Sequence, residues 1–299
     1  MKTACLTVIY PGVEDFIEEF LQCIQRQTFK NFDLVVINDH FPLSIEQILK
    51  RMNIKVEVFD CFQTPQGNRL HGLKMCRQLG YDIVVCSDAD DVMFDDRIER
   101  VVTYFLENED KKIVYNNLVT HSELERFDLF YKEHITLIDI LDFNVLGYGA
   151  LSVKSDLIPF ILEHGNENVP VFDWWFALIY LLYHPKVDFL GEVYSRYRMH
   201  SDNYAGPVFG ITEKRLEQGL YVKKATYSEM TEYCKQNRFA EEERLFKQKS
   251  KEIDEIESFI GEHSLSDYYE LVETHFSDMP KMFWWQDVVS LNNCNKIKS

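Results

Sequence analysis

The stretch Ile83-Val84-Val85-Cys86-Ser87-Asp88-Ala89-Asp90-Asp91 decides how this chain is interpreted. Its apolar, mostly β-branched residues give way abruptly to carboxylates. The apolar run predicts a buried strand, because a half-exposed strand would alternate polar and apolar residues. In an open α/β sheet, ligands collect at the carboxyl ends of the strands. We therefore expect a ligand site where this strand ends.

The acidic residues of this stretch allow two interpretations. Asp88 and Asp90 lie two residues apart, so in an extended segment their side chains would point the same way. Mg²⁺ and Mn²⁺ prefer oxygen ligands and often keep substrate phosphates in their shell, which predicts a metal–diphosphate site. The alternative is an acidic turn before a helix, with Asp95 or Asp96 as the N-cap.

The composition narrows the functional classes. The 299 residues carry a formal net charge of −17, which argues against binding to nucleic acid, because that needs a basic surface. No apolar run approaches the roughly 18 residues that cross a bilayer. Seven scattered cysteines and an N-terminus without a secretory signal predict a cytoplasmic protein, with peripheral contact at the inner membrane face left open.

Strand and helix patterns alternate from the N-terminus to about residue 120. The predicted strands are 6–10, 34–37, 55–59, the run before Asp88, and 113–115. The predicted helices are 14–27, one from 44, 69–79 after a turn at 65–68, and one from about 96. This alternation implies a parallel sheet with helices on both faces.

The pattern changes after residue 120. A strand with close backbone approach is predicted at 147–153, an aromatic helix at 173–183 and another strand at 187–197. From about residue 212 the chain is helical and charged, with Ser264 as a candidate N-cap. We therefore expect an α/β domain, 1–211, and a helical C-terminal extension, 212–299.

Two residues outside the acidic stretch are candidates for nucleotide binding. Asp39 ends the second predicted strand, at the same sheet edge as Asp88, and could accept a nucleobase N–H or a ribose hydroxyl. The alternative for Asp39 is an ordinary turn residue. Arg69 lies in the first turn of its predicted helix, where it could face a diphosphate or simply solvent.

Two later residues are candidates for catalysis and metal binding. Asp173 opens the aromatic helix and is either its N-cap or a general base, because aromatic neighbours would desolvate it and raise its pKa. His200 follows the strand 187–197 in a polar loop and is either structural or a third metal ligand.

Taken in order, these motifs resemble those of GT-A fold glycosyltransferases of the family 2-like group, over about residues 4–208. The motifs that carry the resemblance are Gln27-Thr28-Phe29-Lys30-Asn31-Phe32, Asn38-Asp39, Asp88-Ala89-Asp90-Asp91, Asp173-Trp174-Trp175 and Tyr197-Arg198-Met199-His200-Ser201-Asp202-Asn203. The resemblance implies the GT-A fold, with a mostly parallel central sheet flanked by helices and a helical C-terminal extension.

The resemblance also implies roles for the candidate residues. Asp39 would contact the base, Asp88 the ribose, and Asp90 with His200 a Mn²⁺ or Mg²⁺ ion that bridges the diphosphate. Asp173 would deprotonate the acceptor hydroxyl, so that the sugar is transferred with inversion. A carboxylate at Asp39 suits a pyrimidine N3–H, which favours a UDP-sugar or dTDP-sugar donor.

The implied partners are a nucleotide-sugar donor and a glycan or lipid-linked acceptor, in the synthesis of a surface polysaccharide or another glycan. The C-terminal extension has no counterpart in the family pattern and is a candidate for acceptor recognition, homodimerisation or membrane contact. The chain departs from the family at two loops, where it reads Tyr10-Pro11-Gly12-Val13 instead of Pro-x-Tyr-Asn and Asn38-Asp39-His40-Phe41 instead of Asp-Asp-Gly-Ser.

Two alternatives stand beside this hypothesis. A nucleotidyltransferase of related fold would need a glycine-rich, basic loop after its first strand, and the acidic segment 11–15 is too short for one. A catalytically degenerate protein of the same fold would bind nucleotide sugar, or nothing, and serve as a scaffold.

Overall fold

The computed structural model describes residues 1–50, 52–120, 132–167, 169–198, 211–276 and 284–295. The chain divides into two compact units. The first comprises Met1–Thr136, Leu146–Glu167 and His184–Asp202, and the second comprises Leu137–Val145, Asn168–Tyr183 and Asn203–Ser299. The C-terminal helices therefore share their unit with two earlier segments.

The first unit is built on one sheet. Its strands are β1 (Thr3–Ile9), β2 (Phe32–Asn38), β3 (Val56–Asp60), β4 (Ile83–Cys86), β5 (Val92–Met93), β6 (Ile113–Thr120), β7 (His134–Ile135), β8 (Leu151–Lys154) and β9 (Val187–Tyr197). Its helices are α1 (Ile17–Arg26), α2 (Ile45–Leu49), α3 (Pro65–Gln78), α4 (Arg97–Glu107) and α5 (Ile158–His164), with 3₁₀ turns at Tyr148–Ala150 and Ser155–Leu157.

The strand order is β3-β2-β1-β4-β8-β6-β9-β5, with β7 beside β9. The first four strands are mutually parallel, with β3 at the edge. β8 is antiparallel to β4 and to β6, whereas β6 and β9 are parallel. Only β5, β7 and β8 oppose the other described strands, which confirms the predicted mostly parallel sheet flanked by helices.

Apolar periodicity explains why helices cover both faces of the parallel strands. On α1, Ile17, Phe20, Leu21 and Ile24 recur at helical spacing, are buried, and share one cluster with residues of β1, β2 and β4. On the opposite face, α3 packs against β1 and β2 through Gly72. This close approach places the middle of α3 directly against β1 and β2.

The start of α3 differs from the sequence prediction. The segment 65–68 is the first turn of the helix rather than a separate turn. Thr64 is the N-cap, because its Oγ1 accepts a hydrogen bond from the Gly67 N–H at 3.0 Å, and Pro65 occupies the first helical turn. Asn68 is therefore a helical residue.

The second unit is helical. It contains the 3₁₀ turn Leu137–Ile140 and the helices α6 (Phe172–Tyr183), α7 (Glu213–Gln236), α8 (Ala240–Glu262), α9 (Leu265–His275) and α10 (Leu291–Asn295). Ser264 caps α9 as predicted, since its Oγ accepts the Asp267 N–H at 3.0 Å. Among the described helices, none combines the length and the apolar character that a bilayer-crossing helix requires.

Replacing Gly72 by alanine tests the packing of α3. The new Cβ would lie 2.8 Å from Leu6 Cδ1 and 3.0 Å from Ile37 Cγ1, both in the buried core. We expect the free energy of unfolding to fall by about 1–2 kcal/mol, because overpacking outweighs the helix propensity of alanine. Calorimetric unfolding measures this, with Gly261→Ala as control, because a Cβ there meets no atom within 4 Å. An equal or higher melting temperature for Gly72→Ala would contradict the packing argument.

Candidate functional site

The acidic motif forms a turn at the carboxyl end of β4. The strand ends at Cys86, and the Asp91 N–H donates to the Asp88 carbonyl oxygen at 3.2 Å. The expectation that Asp88 and Asp90 share one face of an extended segment is therefore wrong. The turn brings Asp88, Asp90 and Asp91 together by bending the backbone.

The three carboxylates differ in exposure. The Asp88 side chain is 29% exposed, whereas Asp90 and Asp91 are buried. Burial, followed by the neighbouring charges of Asp90 and Asp88, raises the pKa of Asp91 well above its usual range. One Asp91 oxygen accepts the backbone N–H of Arg198 at 2.9 Å. The motif is thus a crowded group of negative charges that added positive charge would relieve.

Arg97 lies in the first turn of α4 and is completely buried. Its Nη2 donates to the Cys86 carbonyl oxygen at 2.8 Å, at the end of β4. Burial lowers the pKa of Arg97, and the charge of Asp91 partly opposes this. The sequence does not single out Arg97, because an arginine beside Asp96 at a helix start is usually exposed. Asp96 itself makes no capping hydrogen bond.

Arg69 contacts the acidic motif from α3. Its Nη2 lies 3.2 Å from Asp88 Oδ1, and its guanidinium carbon lies 4.6 Å from the centre of the Tyr148 ring. Next to Tyr148, the missing side chain of Gly149 leaves room for the motif, since a Cβ there would lie 2.8 Å from Asp88 Oδ2 and 3.3 Å from Asp91 Oδ2. The close backbone approach predicted for this segment is confirmed.

Asp39 follows β2 at the same edge of the parallel strands. Its Oδ2 accepts a hydrogen bond from Nδ2 of Asn68 at 2.8 Å, and its Oδ1 lies 3.0 Å from His40 Nδ1. Asn68 is fully buried, and its Oδ1 accepts the Gln63 N–H at 3.1 Å. Asn68 therefore fixes the Asp39 carboxylate. The Thr64-Pro65 pair, read as a helix start, would have identified Asn68 as a first-turn residue.

Tyr10 follows β1, which lies between β2 and β4. Tyr10 is 37% exposed, yet partial loss of solvent, and then the charges of Asp90 and Asp88, raise the pKa of its phenol above the ordinary value. The loop in which the chain departs from the family pattern thus still supplies a polar aromatic group to this edge.

Asp173 belongs to the second unit. It lies in the first turn of α6 and is half-buried, and its Oδ1 accepts the Trp174 N–H at 2.9 Å. The N-cap interpretation is wrong, because the helix already begins at Phe172. The Trp174 indole N–H donates to the Ile140 carbonyl oxygen at 2.8 Å, which fixes the start of the helix within this unit.

The predicted third metal ligand, His200, lies outside the described residues. Within the described ranges, no group of three or more His, Cys, Asp or Glu side chains is arranged so that it could hold a metal ion by itself. The oxygen donors of Asp88, Asp90 and Asp91 nevertheless fit the preference of Mg²⁺ and Mn²⁺, which complete their shells with waters and phosphates.

Comparison with known proteins agrees with this arrangement. Residues 6–148 match the family model of glycosyl transferase family 2, a range that includes the acidic motif, Asp39 and Arg69. The O-antigen biosynthesis glycosyltransferase WbnJ of Escherichia coli is 25% identical over 198 residues, which are 63% of this chain and 76% of that relative.

Solved structures share the fold. S. aureus TarS 1-349 in complex with UDP has a TM-score of 0.56 at 18% identity, covering 77% of this chain and 65% of that chain. The mannosyltransferase PcManGT from Pyrobaculum calidifontis, in complex with GDP-Man and Mn²⁺, has a TM-score of 0.54 at 13% identity, covering 76% and 63%. This chain thus spans less than two thirds of each solved chain. The solved structures show the shared fold, and the family match over residues 6–148 supports a GT-A, family 2-like glycosyltransferase.

Adding one methyl group at Gly149 tests the geometry of the acidic motif. We expect Gly149→Ala to weaken binding of UDP in the presence of Mn²⁺ by about tenfold, because the Cβ displaces the Asp88 and Asp91 carboxylates. Isothermal titration calorimetry measures the affinity. Gly191→Ala is the matched control, since a Cβ there meets no atom within 4 Å. Parent-like affinity in Gly149→Ala would show that this contact does not shape the site.

Proposed function

We propose that the chain is a metal-dependent, inverting glycosyltransferase that moves a sugar from a nucleoside-diphosphate donor, preferably a UDP-sugar, to a hydroxyl acceptor. The observation that carries the proposal is the crowded carboxylate turn of Asp88, Asp90 and Asp91 at the carboxyl end of β4. The adjacent Arg69 and Asp39 supply a cation and a hydrogen-bond acceptor at the same edge.

The donor would lie along this edge. Asp39 would accept a base N–H, Asp88 would bind the ribose, and Arg69 would face the diphosphate. Asp90, with His200, would hold a Mn²⁺ or Mg²⁺ ion, which offsets the negative charge of the departing nucleoside diphosphate. The buried Asn68 supports this arrangement because it holds the Asp39 carboxylate in one orientation.

The transfer would be a single displacement. The acceptor oxygen would form a bond to the anomeric carbon as the bond to the diphosphate oxygen breaks, which inverts the configuration. Asp173 would take the acceptor proton, because a hydroxyl is a weak nucleophile without a base. The partial burial of Asp173 and its place in the first turn of α6 are the observations that support this role.

The names of similar proteins support the substrate class. TarS has been solved with UDP and with UDP-GlcNAc, and PcManGT with GDP-Man and Mn²⁺. WbnJ is named for O-antigen biosynthesis, which supports a glycan or lipid-linked acceptor in surface polysaccharide synthesis. The transferase domain would be 1–211, and the extension 212–299 would recognise the acceptor, mediate dimerisation or touch a membrane. The seven cysteines, all free and buried, suit the proposed cytoplasmic location.

Removing the Asp90 carboxylate tests the metal role. We expect the parent to bind UDP in the presence of Mn²⁺ but not after chelation, and Asp90→Ala to lose this binding, because the cation loses a ligand. Calorimetric titration of UDP and GDP, with and without Mn²⁺, measures both effects and the base preference. Asp96→Ala is the control, because its half-exposed carboxylate pairs with Arg100. A parent that binds neither nucleotide under any condition would favour the scaffold alternative.

Substituting Asp173 tests the base. We expect Asp173→Asn to keep the parent affinity for Mn²⁺ and UDP but to slow turnover by about 10²–10⁴-fold, because the amide cannot accept the proton. Release of UDP from the nucleotide sugar that the parent turns over in a donor screen measures the rate. Glu270→Gln, on the exposed face of α9, is the control. If Asp173→Asn turns over like the parent, another group must be the base.

A further inference from the structure

Arg198, directly after β9, contacts the acidic motif at two points. Its backbone N–H donates to Asp91 Oδ1 at 2.9 Å, and its guanidinium Nε donates to the Asp90 carbonyl oxygen at 2.9 Å. The second bond uses the main chain of Asp90 rather than its carboxylate. Together the two bonds hold the main chain of Asp90 and the carboxylate of Asp91.

Two residues contact the guanidinium of Arg198: Glu19 on α1, and Phe16, which directly precedes α1. Its Nη2 donates to the Glu19 carboxylate, and its Cζ lies 4.8 Å from the centre of the Phe16 ring. The Arg198 side chain is only 15% exposed, so this charge-assisted contact is little screened by solvent. Glu19 therefore holds the guanidinium while its Nε donates to the Asp90 carbonyl oxygen.

We propose that Arg198 is a positioning residue for donor binding, which sets the turn that carries Asp88 and Asp90, and that Glu19 acts only through Arg198. This inference rests on the proposed function, in which the turn binds the metal and the nucleotide. Arg198 belongs to the sequence motif 197–203, which by itself gives this arginine no role.

Glu19 distinguishes positioning from direct contact with the donor. If Arg198 were a phosphate ligand, Glu19→Gln would free the guanidinium and leave binding equal or tighter. If Arg198 is a positioning residue, the same substitution loosens the turn and weakens binding. Glu19 is 44% exposed, so Glu19→Gln is expected to fold even if Arg198→Ala does not.

The experiment is a double-mutant cycle on the full chain. UDP is titrated by calorimetry in saturating Mn²⁺ into the parent, Arg198→Ala, Arg198→Lys, Glu19→Gln and Arg198→Ala/Glu19→Gln. We expect Arg198→Ala to weaken binding about tenfold or more and Glu19→Gln about threefold, with no further loss in the double variant. Arg198→Lys should recover part of the loss, because it keeps the charge but not both guanidinium contacts.

Two further measurements separate positioning from general destabilisation. The Mn²⁺ concentration for half-maximal UDP binding should rise in Glu19→Gln while its metal-free melting temperature stays at the parent value. Glu18→Gln, one residue away on α1, is the matched control, because the Glu18 carboxylate accepts a hydrogen bond from Gln22 of the same helix at 3.5 Å. It should bind Mn²⁺ and UDP like the parent.

The outcomes are distinguishable. If the parent shows no Mn²⁺-dependent UDP or GDP binding, the proposed function fails and this inference fails with it. If the parent binds but Glu19→Gln binds equally well or more tightly, the positioning role alone is overturned. A further loss from Glu19→Gln in the Arg198→Ala background would show that Glu19 acts independently of Arg198.

Discussion

Repulsion among the carboxylates of Asp88, Asp90 and Asp91 is the constraint on which the candidate site depends. Like charges held close together in a partly buried turn disfavour the folded state unless donors and cations compensate them. The compensation comes from arginines on separate elements. Arg97 binds the strand end, and Arg198 binds the turn itself. The chain as a whole carries a net charge of −17, so these nearby arginines are needed to offset the negative charge of the motif.

The strand order explains why the other candidate residues reach the same place. The parallel order β3-β2-β1-β4 sets the carboxyl ends of β2, β1 and β4 side by side. Asp39, Tyr10 and the acidic turn each follow one of these strands, so residues far apart in sequence meet at one edge. Helix α3 then brings Arg69 into contact with Asp88 of the motif and Asn68 into contact with Asp39. The site therefore depends on where these residues lie in the fold rather than on any single sequence motif.

The sequence predicts the framework well and the contacts poorly, for a physical reason. Strand β9 begins and ends where its pattern predicts, at Val187 and Tyr197, because periodicity and flanking turn residues are local signals. The sequence predicts the start of α3 too late, because Gly67 favours a turn although Thr64 and Pro65 form a helix start. The partners of Arg198 lie elsewhere: Glu19 is 179 residues away in sequence, and no local pattern encodes such a pair.

The departure of the second loop from the family pattern is compensated in the structure. His40 stands where the family has glycine and adopts a left-handed φ of 57°, a conformation in which histidine is enriched among non-glycine residues. Its ring lies 4.0 Å from that of Phe62. Asn38 replaces a carboxylate, yet its Oδ1 accepts the Phe41 N–H at 3.1 Å and its Nδ2 donates to Asp60 at 2.8 Å. An aspartate at 38 could not make the second bond and would face the Asp60 charge. The loop therefore keeps Asp39 in place without the usual residues, and the sequence departure is not by itself a sign of a degenerate site.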